Sequence, residues 1–267
     1  MTNILTYHMF QRRETYLQLE TLPLSQRVAE MRKPEVRAAI LSDRDCPSDK
    51  GGMIANAHLI FKGAARRIFA LDHPINYEPT PEHNFAQRAA DAGQSEEEFM
   101  YDFLIGNGGK NFAILLGANF HAGNFDVIRE MLLHPETITG LSDAGAHVNL
   151  IFDGVAPTYQ MIHWSRDRSR GEGLPLEYVV AKQTKRNADL YGMTDRGSLE
   201  VGKRADINVI DFDRLQLGKL EVRADLPAGG TRILQPASGY LATYVNGVMT
   251  RKNDLDTGAR PGRLVRS

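Results

Sequence analysis

Between Arg67 and Leu190, short apolar runs alternate with charged, helical stretches at the spacing of β–α–β units, and this alternation restricts the chain more than any other feature. The first run, Arg67-Ile68-Phe69-Ala70-Leu71, stops at Asp72-His73-Pro74. The second is Phe112 to Leu116, and the third, Ile138 to Leu141, ends at Ser142-Asp143. Between the first two lie a helical stretch from Asn84 to Ala92 and a second one opened by Ser95 with Glu98 three residues on, a capping-box start that runs to Leu104 and stops at Gly106-Asn107-Gly108-Gly109. Before the third run, Asn124 caps a helix with Val127, Ile128, Met131 and Leu132 on its apolar face, ended by Pro135. The pattern predicts an α/β fold with a parallel sheet. Upstream, Leu24 to Ser42 reads as two short helices separated at Pro34, followed by a polar loop from Asp43 to Gly52.

The character changes after Leu190. A helix from Leu176 to Tyr191 is closed by Gly192, and the remainder reads as short strands at Asp206 to Asp211 and Thr231 to Leu234, then a hairpin. Leu241 to Val245 and Val248 to Thr250 flank Asn246-Gly247, a pair that tolerates the two positive φ angles of a type I′ turn. A β module therefore closes the sequence.

Composition narrows the function classes. The chain has 267 residues, 42% hydrophobic and 24% charged, with 32 basic and 33 acidic residues for a net charge of −1. Such a balance offers no field to draw in nucleic acid or an anionic membrane. Arg166, Arg168 and Arg170 alternate with Asp167 and Ser169, which reads as a solvated face. No apolar run approaches about 18 residues and no signal core follows Met1, so a cytoplasmic location is expected. Cys46 stands alone, which excludes an internal disulfide and a thiolate cluster.

The chemistry-bearing tract is Gly140-Leu141-Ser142-Asp143-Ala144-Gly145-Ala146-His147. A strand that stops at Ser-Asp and turns through Ala-Gly-Ala delivers Asp143 to its C-terminal end, where an α/β barrel keeps its catalytic groups. The ordinary role of an Asp after a strand is turn residue or helix cap; the alternative is metal ligand and proton carrier. His147, four residues on, either touches substrate or metal or is a half-buried hydrogen-bonding residue. His163 beside Trp164 reads as packing, and His73 and His121 as structural. Cys46 sits in a polar loop and is not assigned to a metal. Gly108-Gly109 and Gly229-Gly230 lack the strand-to-helix setting of a phosphate loop. A complete barrel of eight strand–helix units spans about 250 residues, and the three strands here make only part of one.

The tract from Gly140 through Pro157 to Gly171, Leu174 to Gly192 and Asp195 to Leu215 (DRGSLEVGKRADINVIDFDRL) resembles the C-terminal half of the amidohydrolase superfamily, in its branch of N-acyl-D-amino-acid deacylases, or D-aminoacylases. Leu22 to Leu41 and the closing DLPAGGTRILQPASGYLATYVNGV are similar to the same branch. The resemblance implies a partial TIM-type (β/α) barrel over residues 1–192, followed by a small β-sandwich module over 193–267. It implies zinc-dependent hydrolysis of a linear amide, with a small N-acylated amino acid or related amide as substrate. Zinc acts there as Lewis acid and activates water. Asp143 takes the position of the metal ligand that carries a proton from water to the departing amine, and His147 that of a substrate contact. Two departures stand beside the match. The eight histidines contain no His-x-His pair, and the chain begins beyond the strands that carry the family's other ligands. Three readings stay open: a deacylase, a catalytically inactive remnant, and one chain of a split enzyme completed by an N-terminal half chain. A homo-oligomer is a further possible assembly.

Overall fold

Sequence punctuation sets the first helices. The structure, a computed structural model, describes residues 1–47, 56–140, 142 and 148–264. Two units divide it: Met1–Phe125 with His147–Ile151 and Val222–Ile233, and Asp126–Ala146 with Phe152–Glu221 and Leu234–Ser267. The first unit opens with α1 (Glu14–Leu19), α2 (Leu24–Met31) and α3 (Pro34–Ser42). Pro34 is the first residue of α3, where its missing N–H leaves no intrahelical bond unmade. After α4 (Ala57–Phe61) and β1 (Ile68–Ala70) come α5 (Phe85–Asp91), α6 (Glu96–Ile105) and β2 (Ala113–Leu115). Asn84 caps α5 by accepting from the Gln87 amide at 2.8 Å. Ser95 and Glu98 form the expected reciprocal capping box at the head of α6.

The first unit's core gathers Phe10, Ile40, Ile68, Phe85, Tyr101 and Leu104, all fully buried. Tyr101 donates its hydroxyl proton to the Met31 carbonyl at 2.8 Å, which locks α6 to the end of α2. β1 and β2 pair with Ile68 opposite Leu115 and Ala70 opposite Ala113. The pairing is antiparallel, which corrects the parallel sheet expected from the alternation. Two helices, α5 and α6, lie between the strands where a β–α–β unit has one, so the chain re-enters the sheet in the opposite sense. On the far side of β2, Thr2 and Ala113 exchange both backbone hydrogen bonds, at 2.9 and 3.0 Å.

The second unit holds α7 (Asp126–Leu133), α8 (Ala156–Ile162), α9 (Leu176–Gln183), α10 (Lys185–Leu190), β3 (Ile207–Ile210) and β4 (Gln216–Leu217). β5 (Glu221–Arg223) pairs with β6 (Arg232–Leu234). β7 (Ala237–Ser238), β8 (Tyr240–Val245), β9 (Val248–Lys252) and β10 (Leu255–Asp256) complete the chain. A four-stranded sheet runs in the order β10-β9-β8-β3, and β4 pairs with β7. Its central turn is the expected one, with Asn246 and Gly247 at φ of 51° and 75°. The expected helix from Leu176 to Tyr191 is broken at Thr184, whose backbone leaves the helical region (φ −122°, ψ −87°) while its hydroxyl donates to the Val180 carbonyl. No described helix is long and apolar enough to cross a membrane.

The third expected strand is not one among its described residues: Ile138, Thr139 and Gly140 join no sheet. Arg166, Asp167 and Ser169 are exposed, as a solvated face requires, but Arg168 between them is not. The Arg168 side chain is 0% exposed. It lies over the Trp164 ring at 4.8 Å, pairs with Asp126 at 2.6 Å and donates to the Glu172 carbonyl at 2.6 Å. The ring and the carbonyl that receive the guanidinium are each four residues away, but the carboxylate that pairs with it, Asp126, comes from 42 residues upstream, where the alternation of charges gives no sign of it.

Two consequences can be measured. His8 is buried against Tyr16, and burial, followed by the charge of Arg27, pushes its pKa from 6.5 down to about 3. The unfolded chain then takes up a proton that the folded chain refuses, so stability falls as pH drops below about 6.5, by at most about 1.4 kcal/mol per unit. Urea unfolding at pH 7 and pH 5 is expected to show wild type losing about 2 kcal/mol more than His8→Gln; equal losses contradict it. Trp164 is the one tryptophan of the sequence. Its fluorescence during urea unfolding is expected to report a loss of about 2 kcal/mol in Arg168→Met, and an unchanged midpoint contradicts this.

Candidate functional site

Asp143 and His147 lie outside the described residues; the chain that leads to them does not. Among the described residues no strand pairs with the backbone from His134 to Gly140, and polar side chains of α9 and α10 bond to it instead. Lys182, 2% exposed, donates from its ammonium to the His134 carbonyl at 3.2 Å, to the Thr137 carbonyl and to Thr137 Oγ1 at 2.9 Å. All three ammonium protons are thereby used. In return, Thr139 Oγ1 donates to the Lys182 carbonyl at 2.9 Å. Asn187 on α10 donates to the Thr139 carbonyl at 2.8 Å, and Tyr178 on α9 to the Leu132 carbonyl at 2.8 Å. Tyr178 and Lys182 are four residues apart, hence on one helix face. Burial, and secondarily the charge of Arg186, pulls the Lys182 ammonium below the ordinary lysine value.

After α8 the backbone makes one turn of π-helix, His163–Asp167. The extra residue per turn rotates the side chains that follow, a device often found at functional sites. His163 stacks on Tyr159 at 4.9 Å and meets Trp164 edge-on at 5.0 Å. Both His163 and Trp164 are buried, as packing residues are. A cavity of about 990 Å³ in the same unit is lined by Met161, Val180, Leu199, Ile207, Phe212 and Tyr240 among others. The arginines on its wall already have carboxylate partners, Arg196 with Asp195 at 2.8 Å and Arg204 with Asp206 at 2.9 Å.

The first unit contains a separate charged cluster. Asp45 faces Arg13 at 3.3 Å and His58 at 3.6 Å, and is paired with Lys62. Arg13 also reaches Glu97 at 3.1 Å. Burial lowers the His58 pKa; Asp45 opposes it, while Lys62, Arg12 and Arg13 add to it. Two carboxylates, Asp45 and Glu97, among Arg12, Arg13 and Lys62 suit an anchor for Asp43 to Pro47 and not a cation site. The amide of the half-buried Cys46 is taken up by the Arg12 carbonyl at 2.8 Å. His73 and His121 are both exposed. Among the described residues no three His, Cys, Asp or Glu side chains come together in a way that could hold a metal ion.

Comparison with known proteins adds the following. No curated protein matches the chain. It is similar to the crystal structure of a D-aminoacylase that defines a novel subset of amidohydrolases, at 22% identity over 88% of this chain and 44% of that one, with a TM-score of 0.40. It is similar also to a D-aminoacylase mutant in complex with copper chloride, at 20% identity over 94% of this chain and 48% of that one, TM-score 0.41. The chain spans less than half the length of either protein. A model of the amidohydrolase family matches residues 4–251, nearly the whole sequence, and the chain belongs to that family.

Proposed function

We propose that this chain carries the proton-transfer residue of a hydrolase that cleaves a linear carbon–nitrogen amide bond, with small N-acyl-D-amino acids as the substrate class. The observation that supports the reading is the family match over residues 4–251, which includes the Gly140 to His147 tract. Amide hydrolysis needs a proton taken from the attacking water and a proton given to the departing nitrogen, and one carboxylate can serve both in turn. Asp143 is assigned that role and His147 the contact to substrate. Residues 1–192 are read as the α/β part of the chain and 193–267 as its β module.

The zinc that the sequence resemblance implies finds no three-ligand site among the described residues, so no step is derived through it. The histidines of the sequence, none of them in a His-x-His pair, suit a second reading, in which a further polypeptide segment supplies the remaining ligands and this chain is inactive by itself.

The test is release of free amino acid from N-acetyl-D-amino acids by the purified chain, with elemental analysis for zinc, in wild type, Asp143→Asn and Asp143→Ala. The reading expects Asp143→Asn to lower kcat by about a hundredfold or more. Turnover equal to wild type in Asp143→Asn removes Asp143 from the chemistry. Stoichiometric zinc that is lost in Asp143→Ala, together with turnover, means that the chain builds its own site. Neither zinc nor turnover favours the second reading.

A further inference from the structure

We infer that Lys182, with Asn187, is a positioning residue that holds Thr137 to Gly140 in place of a neighbouring strand and so fixes the start of the tract that carries Asp143. The inference rests on the proposed role of Asp143 for its catalytic consequence and on geometry alone for the clamp.

The geometry is unusually complete. An unpaired buried ammonium is costly, and a lysine reaches full burial only where oxygen acceptors replace water. Lys182 has three such acceptors, and they belong to two consecutive pieces of chain: the residue just after α7, and Thr137. The His134 carbonyl lies at the C-terminal end of α7, where the helix dipole favours a cation. Thr139 then closes the loop by donating to the carbonyl of Lys182 itself. From the next helix, Asn187 takes the Thr139 carbonyl. The carbonyls of Thr137 and Thr139, which a neighbouring strand would satisfy in a sheet, here accept from an ammonium and a side-chain amide, and the His134 carbonyl accepts from the ammonium and from Thr137.

Gly140 and Asp143 are only three residues apart. Loss of the clamp therefore frees the chain directly ahead of the reacting carboxylate, and small misplacement of a catalytic group lowers the rate without changing substrate affinity. The substitution Lys182→Arg keeps the charge but brings a larger, planar donor, and is expected to fall between wild type and Lys182→Met.

Hydrogen–deuterium exchange of the full chain, read on peptides covering 134–140 and on α8 to α10, decides the clamp. Exchange at 134–140 is expected to accelerate at least tenfold in Lys182→Met and less in Lys182→Arg, with α8 unchanged. If Lys182→Met fails to fold, Asn187→Ala carries the same test, because it removes the bond to Thr139 and leaves the ammonium in place. Unchanged exchange at 134–140, or equal acceleration throughout the unit, overturns the inference. On N-acetyl-D-amino acids, kcat is expected to fall about tenfold or more with KM within twofold, and Lys182→Arg to recover part of it; wild-type kcat in Lys182→Met despite faster exchange overturns the positioning role. Absence of turnover in wild type speaks against the hydrolase reading of the isolated chain, while the exchange result still judges the clamp.

Discussion

Lys182 carries a full positive charge on four methylenes into a place with 2% exposure, and what it meets there organises the second unit. Its ammonium spends every proton on the chain between His134 and Thr137. The neighbouring bonds from Tyr178 to Leu132 and from Asn187 to Thr139 extend the same seam, so that four successive points of the chain are held from one helical face and its continuation. The His134 carbonyl also accepts from the Thr137 amide and hydroxyl, whereas among the described residues no strand pairs with the segment after α7. The hydrogen bonds between ammonium and carbonyls offset the desolvation of both; removing the acceptors leaves the ammonium buried and unpaired. The same logic places Arg168 under Trp164, where backbone carbonyls and Asp126 receive the guanidinium.

The first unit depends on apolar burial. Phe10, Phe85 and Tyr101 fill its centre in edge-to-face contacts, with Phe10 at 5.4 Å from Tyr101 and Phe85 at 4.7 Å from Phe103. His8 is drawn into that environment as a neutral ring, accepting from the Phe10 amide at 3.2 Å. The charged groups of this unit collect around Asp45, where cations outnumber carboxylates. That imbalance keeps the cluster an anchor and leaves the chemistry proposed for the molecule to the tract around Asp143.

How much of this was legible in the sequence depends on how far apart the partners are. The capping box of Ser95 and Glu98, the start of α3 at Pro34 and the Asn246-Gly247 turn were legible because each is decided within about four residues. The positions of β1 and β2 were legible from their apolar runs, and so were the two helical stretches between them, but the overall alternation of strand and helix pointed to a parallel pairing and not to the antiparallel one found. Ile138 to Leu141 carries a strand's composition, but Ile138, Thr139 and Gly140 join no sheet, and the Thr139 carbonyl accepts from Asn187. Lys182 has no local signal at all: in the sequence it is one lysine on an amphipathic helix, and only the fold shows that it faces inward. The unit match to the amidohydrolase family agrees with the motifs around Asp143, while Asp143 and His147 themselves lie outside the described residues.

A buried, fully bonded ammonium at Lys182 stands where a neighbouring strand was expected. Proton–nitrogen NMR of the lysine side-chain Nζ groups, assigned with Lys182→Arg and followed through a pH titration, tests it most directly. The expected result is one ammonium that titrates below the ordinary lysine value of 10.5 and exchanges its protons more slowly than every surface lysine. If the Lys182 resonance titrates and exchanges with the rest, the ammonium is in water and the claim is wrong.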